Sequence, residues 1–72
     1  MEHIVDEDAF NMSVRKFLKK VGVTSQREIE QAVRDALKAG KIDNASELTA
    51  SVRLTVDGVD LDETITGKID LS

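Results

Sequence analysis

The chain contains no cysteine, proline, tryptophan or tyrosine, and only four glycines and two phenylalanines in 72 residues. Without cysteine there is no disulfide, no thiolate nucleophile and no cysteine-based zinc site, and a cytoplasmic setting is the expectation. The lack of proline and the scarcity of glycine exclude collagen-like and low-complexity chains. No apolar run approaches the roughly 18 residues that a membrane span needs. Residues 1–10 carry acids where a basic stretch followed by an apolar one would mark a secretory signal, so export by that route is not expected. With 40% apolar and 33% charged residues, the composition is that of a soluble globular chain. Residues 1–72 are expected to form a single domain.

The formal net charge of −4 is unevenly laid along the chain. Glu2, Asp6, Glu7 and Asp8 make residues 1–10 strongly acidic. Residues 11–42 hold eight bases against Glu28, Glu30 and Asp35, and residues 43–72 hold Arg53 and Lys68 against seven acids. A basic middle attracts polyanions by counterion release. It also complements an acidic segment of the same chain, or simply stays solvated. Overall negative charge works against steering toward nucleic acid.

Apolar spacing points to helices in the first half. Phe10, Val14, Phe17, Leu18 and Val21 fall on one helical stripe. Asp6, Glu7 and Asp8 provide a cap and negative charge at its N-terminus, while Lys19 and Lys20 suit its C-terminus. Gly22 reads as the stop, so helix 1 is expected over 7–21, with residues 1–6 frayed. Ser25 and Glu28 have the spacing of a capping box. Helix 2 is therefore expected over 26–39, with Ile29, Ala32, Val33, Ala36 and Leu37 as its buried stripe and Gly40 ending it.

After Gly40 the period changes. Residues 41–50 read as a loop, with at most one helical turn around Ser46 to Leu48. From Ser51, Val52, Leu54 and Val56 alternate with polar residues, as do Val59 and Leu61 beyond Asp57-Gly58. A two-residue Asp-Gly turn sets Val56 opposite Val59 and Leu54 opposite Leu61. Alternation continues through Ile65, Ile69 and Leu71, with Gly67 marking a bulge, bend or second turn. The β segment spans 51–71 as one bent second strand or as two strands. The expected fold is α+β, in order α-α-β-β, with a two-helix hairpin packed on a small antiparallel β-hairpin or three-stranded meander.

Chemistry is sparse in this sequence. His3 is the sole imidazole, placed near a terminus, so a Ser-His-Asp arrangement has no well-held base. Asp57, Asp60, Asp62 and Glu63 form the densest acidic cluster, but they sit in a hairpin and lack the alternating ligands of a calcium loop. They read as solvent-face acids that blunt a sheet edge. Gly22, Gly40, Gly58 and Gly67 stand too far apart for a phosphate-binding loop. No catalytic residue, cofactor, metal or small-molecule ligand is expected, and the chain reads as non-enzymatic.

Two surface features remain. Arg27, Gln31, Arg34 and Lys38 share the outer face of helix 2, and Arg15, Lys16 and Lys19 populate that of helix 1. Arginine, lysine and glutamine are side chains that reach phosphates and base edges, although the spacing beyond Gly22 does not fit a helix-turn-helix. Met12 projects among the bases, away from the apolar stripe, as an adaptable contact. These eight residues form the candidate interaction surface. A chain this short buries only about 60% of its unfolded surface, and open sheet edges pair readily. A protein–protein interaction module that self-associates is therefore the first expectation, and a nucleic-acid-binding regulator using helix 2 is the alternative.

The run Phe10-Asn11-Met12-Ser13-Val14-Arg15-Lys16-Phe17-Leu18-Lys19-Lys20-Val21-Gly22-Val23-Thr24-Ser25-Gln26-Arg27-Glu28-Ile29-Glu30, followed by Ala32-Val33-Arg34, resembles a family of short bacterial proteins classed as a domain of unknown function. The segments Leu54-Thr55-Val56 through Gly67-Lys68-Ile69 are also similar to it. The resemblance implies a small bacterial protein and brings no reaction, substrate or catalytic residue with it.

Overall fold

The computed structural model describes residues 5–72. His3 and most of the segment expected to fray lie outside the described residues. Asp6 is held: its side chain accepts from the Ala9 backbone N–H at 3.1 Å and caps helix α1, Glu7–Lys38. The remaining elements are strands β1, Glu47–Thr55, and β2, Asp62–Asp70.

The two expected helices are one helix of 32 residues. Gly22 keeps ordinary helical backbone, the positive-φ glycines being Gly40 and Gly58. Ser25 and Glu28 lie in the helix interior, so no capping box forms. A glycine inside a helix costs about 1 kcal/mol relative to alanine, which weakens a helix without ending it. Nothing between Val21 and Gln26 forbids continuation, since no proline removes a donor. The stripes on either side of Gly22 are also in phase. Leu18 and Ile29, like Val21 and Ala32, stand eleven residues apart, close to three whole turns.

Gly40 does end the helix, as expected. Its φ is 72°, its N–H bonds to Leu37 O at 3.1 Å, and the Lys41 N–H bonds to Ala36 O at 2.9 Å. That pair of bonds is a Schellman closure. A short turn follows, in which the Asp43 carboxylate accepts from the Ala45 N–H at 2.9 Å.

The strands form a two-stranded antiparallel sheet. β1 begins at Glu47, so the expected loop over 41–50 is too long: Glu47 to Ala50 already belong to the ladder. Of the two readings of 59–71, the single second strand holds and the separate third strand does not, because β2 runs unbroken through Gly67, which pairs with Ala50. The turn at Asp57-Gly58 forms, with Gly58 at φ 93° and Val59 N–H bonding to Val56 O at 3.4 Å. The ladder nevertheless closes only at Thr55 opposite Asp62, so Leu54 faces Glu63 rather than Leu61. A second local bond, Leu61 N–H to Val59 O at 3.1 Å, curls the chain before pairing starts. The register slips by two residues, which preserves the face of every side chain. Leu48, Ala50, Val52 and Leu54 thus share a face with Ile65 and Ile69, while Arg53, Asp62 and Lys68 lie on the other.

Packing departs furthest from expectation. The helix pair meant to cover the sheet does not exist, and no described residue is buried. No Cα of α1 comes within 8 Å of a Cα of either strand. Val21, Val33, Ala36, Ile42, Leu48, Ala50, Leu54, Ile69 and Leu71 are half-buried, and these carry what inner layer there is. The molecule measures 60 × 20 × 18 Å with a radius of gyration of 17.3 Å. A compact chain of this length would have a radius of gyration of about 11 Å.

Candidate functional site

Two surfaces are defined by this architecture. The first is the polar side of α1. All eight candidate residues, Met12, Arg15, Lys16, Lys19, Arg27, Gln31, Arg34 and Lys38, lie on the single helix. At 100° per residue they fall within roughly 160° of arc, and Met12 and Lys38 are about 39 Å apart along the axis. Met12 is 65% exposed. It shares a shallow depression on the helix surface with Ser13, Arg15, Lys16 and Lys19.

Toward the C-terminal half, this face is stitched to acids of the same helix. Gln26 Nε2 donates to Glu30 Oε2 at 3.0 Å, and Arg34 Nη2 donates to Glu30 Oε1 at 3.4 Å. The Gln26 hydrogen bond, with help from Arg34, holds the Glu30 carboxyl below its ordinary value. Gln31 Nε2 likewise donates to Asp35 Oδ1 at 3.0 Å. Such i,i+4 pairs add a few tenths of a kcal/mol each to a helix. They also occupy two side chains, Gln31 and Arg34, that a nucleic-acid face would need.

The second surface is apolar. Phe10, Val14, Phe17 and Leu18 of α1 converge with Leu54, Val56, Val59 and Leu61 of the hairpin tip on an open groove of about 710 Å³. Ser13 and Thr55 complete its lining. Phe10 and Phe17 are 55% and 51% exposed, and Val59 is 62% exposed. Those two rings are the chain's entire aromatic content, and an aromatic side chain ordinarily buries 150–250 Å².

Sequence reasoning placed these residues in a core and so missed the groove. A signal was present in the stripe, which keeps its phase across Gly22, with Leu18 and Ile29, like Val21 and Ala32, only about 20° apart around the helix, whereas two helices folded back on each other had no need to share one. A helix of 32 residues is about 48 Å long, but nine-residue strands reach only about 30 Å.

The acidic cluster disperses. Asp62 lies on the polar sheet face, Glu63 opposite Leu54 on the apolar one, and Asp57 and Asp60 in the connection. Among the described residues, no three histidines, aspartates or glutamates converge as a metal site. No described helix is long and apolar enough to cross a membrane.

The model of the "Family of unknown function (DUF6494)" matches residues 5–72. The chain belongs to that family. Neither the curated proteins nor the solved structures offer a match. Membership in DUF6494 agrees with the resemblance carried by the Phe10–Glu30 run, and it assigns no reaction. The DUF6494 match starts at Val5 and takes in both α1 and the hairpin, so the family unit includes every residue that lines the groove.

Proposed function

We propose that this chain is a non-enzymatic interaction module that self-associates through the apolar groove. The observation that carries the reading is the amount of surface left uncovered. The accessible area is 6640 Å². A compact monomer of the same mass exposes about 4,400 Å², so roughly 2,000 Å² per chain is in excess. Permanent homodimers bury about 2,000–5,000 Å² in total, which two such chains supply. Exposed apolar patches beyond a few hundred Å² mark association surfaces. The groove provides one.

Sedimentation velocity over a wide range of concentrations tests this reading. A mass of twice 7.9 kDa or a higher multiple is expected, and a single species of 7.9 kDa at every concentration overturns it. Binding of duplex DNA at low salt that is lost in the Arg27→Ala, Arg34→Ala double variant would assign the polar helix face to nucleic acid instead.

A further inference from the structure

If the groove takes a second copy, its shape and charge also determine how that copy docks. The uncovered apolar side chains concentrate at one end of the molecule, over residues 10–18 of α1 and 54–61 of the hairpin. A two-fold partner must present the same patch. Phe10, Val14 and Leu18 recur every four residues and form a ridge of the kind that packs against its own image. Centred on Val14, this ridge can meet its image in opposite directions, with Phe10 opposite Leu18 and Val14 opposite Val14, or in the same direction, with each residue opposite its own copy.

Charge selects the opposite directions. In a parallel pair, Glu7, about 20° around the helix from Val14, lies beside its own copy, and the two helix dipoles align. In an antiparallel pair about Val14, Asp6 and Lys20 flank the ridge on the same side, so each copy's Asp6 comes beside the other's Lys20 while Glu7 faces Val21, twice over by symmetry. The dipoles then oppose. Like charges set side by side at an interface rim disfavour the wrong pairing.

Resting on the self-association reading, we propose that the partner is a second copy docked antiparallel. Its helix crosses α1 at Val14 and its acidic first turn lies along Lys20 and Val21. Both grooves close at once, since each copy's Phe10 and Phe17 enter the space between the other's helix and hairpin tip.

The absence of cysteine permits a direct distance measurement. Thr24, exposed within α1, is replaced in the Thr24→Cys variant and carries a nitroxide for double electron–electron resonance. Sedimentation velocity is run on the same sample. Thr24 lies ten residues from Val14, so a separation of about 30 Å is expected across an antiparallel pair. A parallel pair brings the labels to less than about 20 Å, which would overturn the geometry and leave self-association intact. A dimer with labels more than about 45 Å apart overturns the centre at Val14. A monomer mass with no dipolar signal overturns the association itself.

Discussion

Arg53 reaches diagonally across the hairpin to Asp62, its Nε donating to Oδ1 at 2.9 Å and its Nη2 donating to Oδ2 at 2.8 Å.. The two are not register partners, since Arg53 faces Thr64 and Asp62 faces Thr55. The fork-to-fork geometry holds the Asp62 carboxyl below its ordinary 3.8 and lifts the Arg53 guanidinium. Because the carboxyl is depressed in the folded state, its stabilisation is fully present above about pH 4 and is lost as pH falls through the folded value. Hairpin stability is therefore expected to drop on acidification below about pH 4, more steeply than in Asp62→Asn. Denaturant melts at several pH values check this, and identical profiles for the two chains would show that the pair carries no stability.

Gly22→Ala separates the continuous helix from a helix–turn–helix by the sign of its effect. In α1 the added Cβ meets nothing within 4 Å and the backbone is helical. A gain of about 1 kcal/mol in thermal stability, followed by circular dichroism, is expected. A left-handed glycine ending a helix at that position would give a loss instead.

Phe17→Ala removes half of the chain's aromatic content from the groove. With no buried core among the described residues, the loss falls on association rather than on helix content. About 2 kcal/mol, or roughly a 30-fold increase in Kd, is expected in equilibrium sedimentation. Unchanged association with lowered helicity would place the ring's role within the single chain.

Lys20→Glu sets an acid opposite the acidic first turn of the docked copy. Association is expected to weaken several-fold at about 20 mM salt and to recover toward the parent value near 0.5 M, because exposed charges are screened. Sedimentation at the two salt concentrations reads this directly, and a salt-independent loss would point to a packing role for the lysine stem.

Much of the local structure was legible in the residues. The Asp6 cap and the Gly40 stop follow from backbone groups that any helix end must satisfy, and those needs are local. The alternation of Val52, Leu54, Ile65 and Ile69 specified which side chains share a face, and that survived a two-residue slip in register. The alternation of Leu48 and Ala50 with Glu47 and Thr49 would have extended β1 to its observed start. Gly22 was misread because a glycine next to lysines looks like a helix end, whereas the phase of the stripe across it says otherwise. The eight residues of the polar helix face were identified from spacing, but the apolar groove was not.

Amphipathic stripes, caps and turn chemistry are local properties, and from these the chain by itself determined that a helix precedes a hairpin and which face of each is apolar. Whether those faces meet depends on distances between segments far apart in sequence. One straight 32-residue rod cannot fold back on itself to cover a short two-stranded sheet. Only the tertiary structure therefore decided that Phe10, Phe17, Val59 and Leu61 stand open to solvent instead of filling a core.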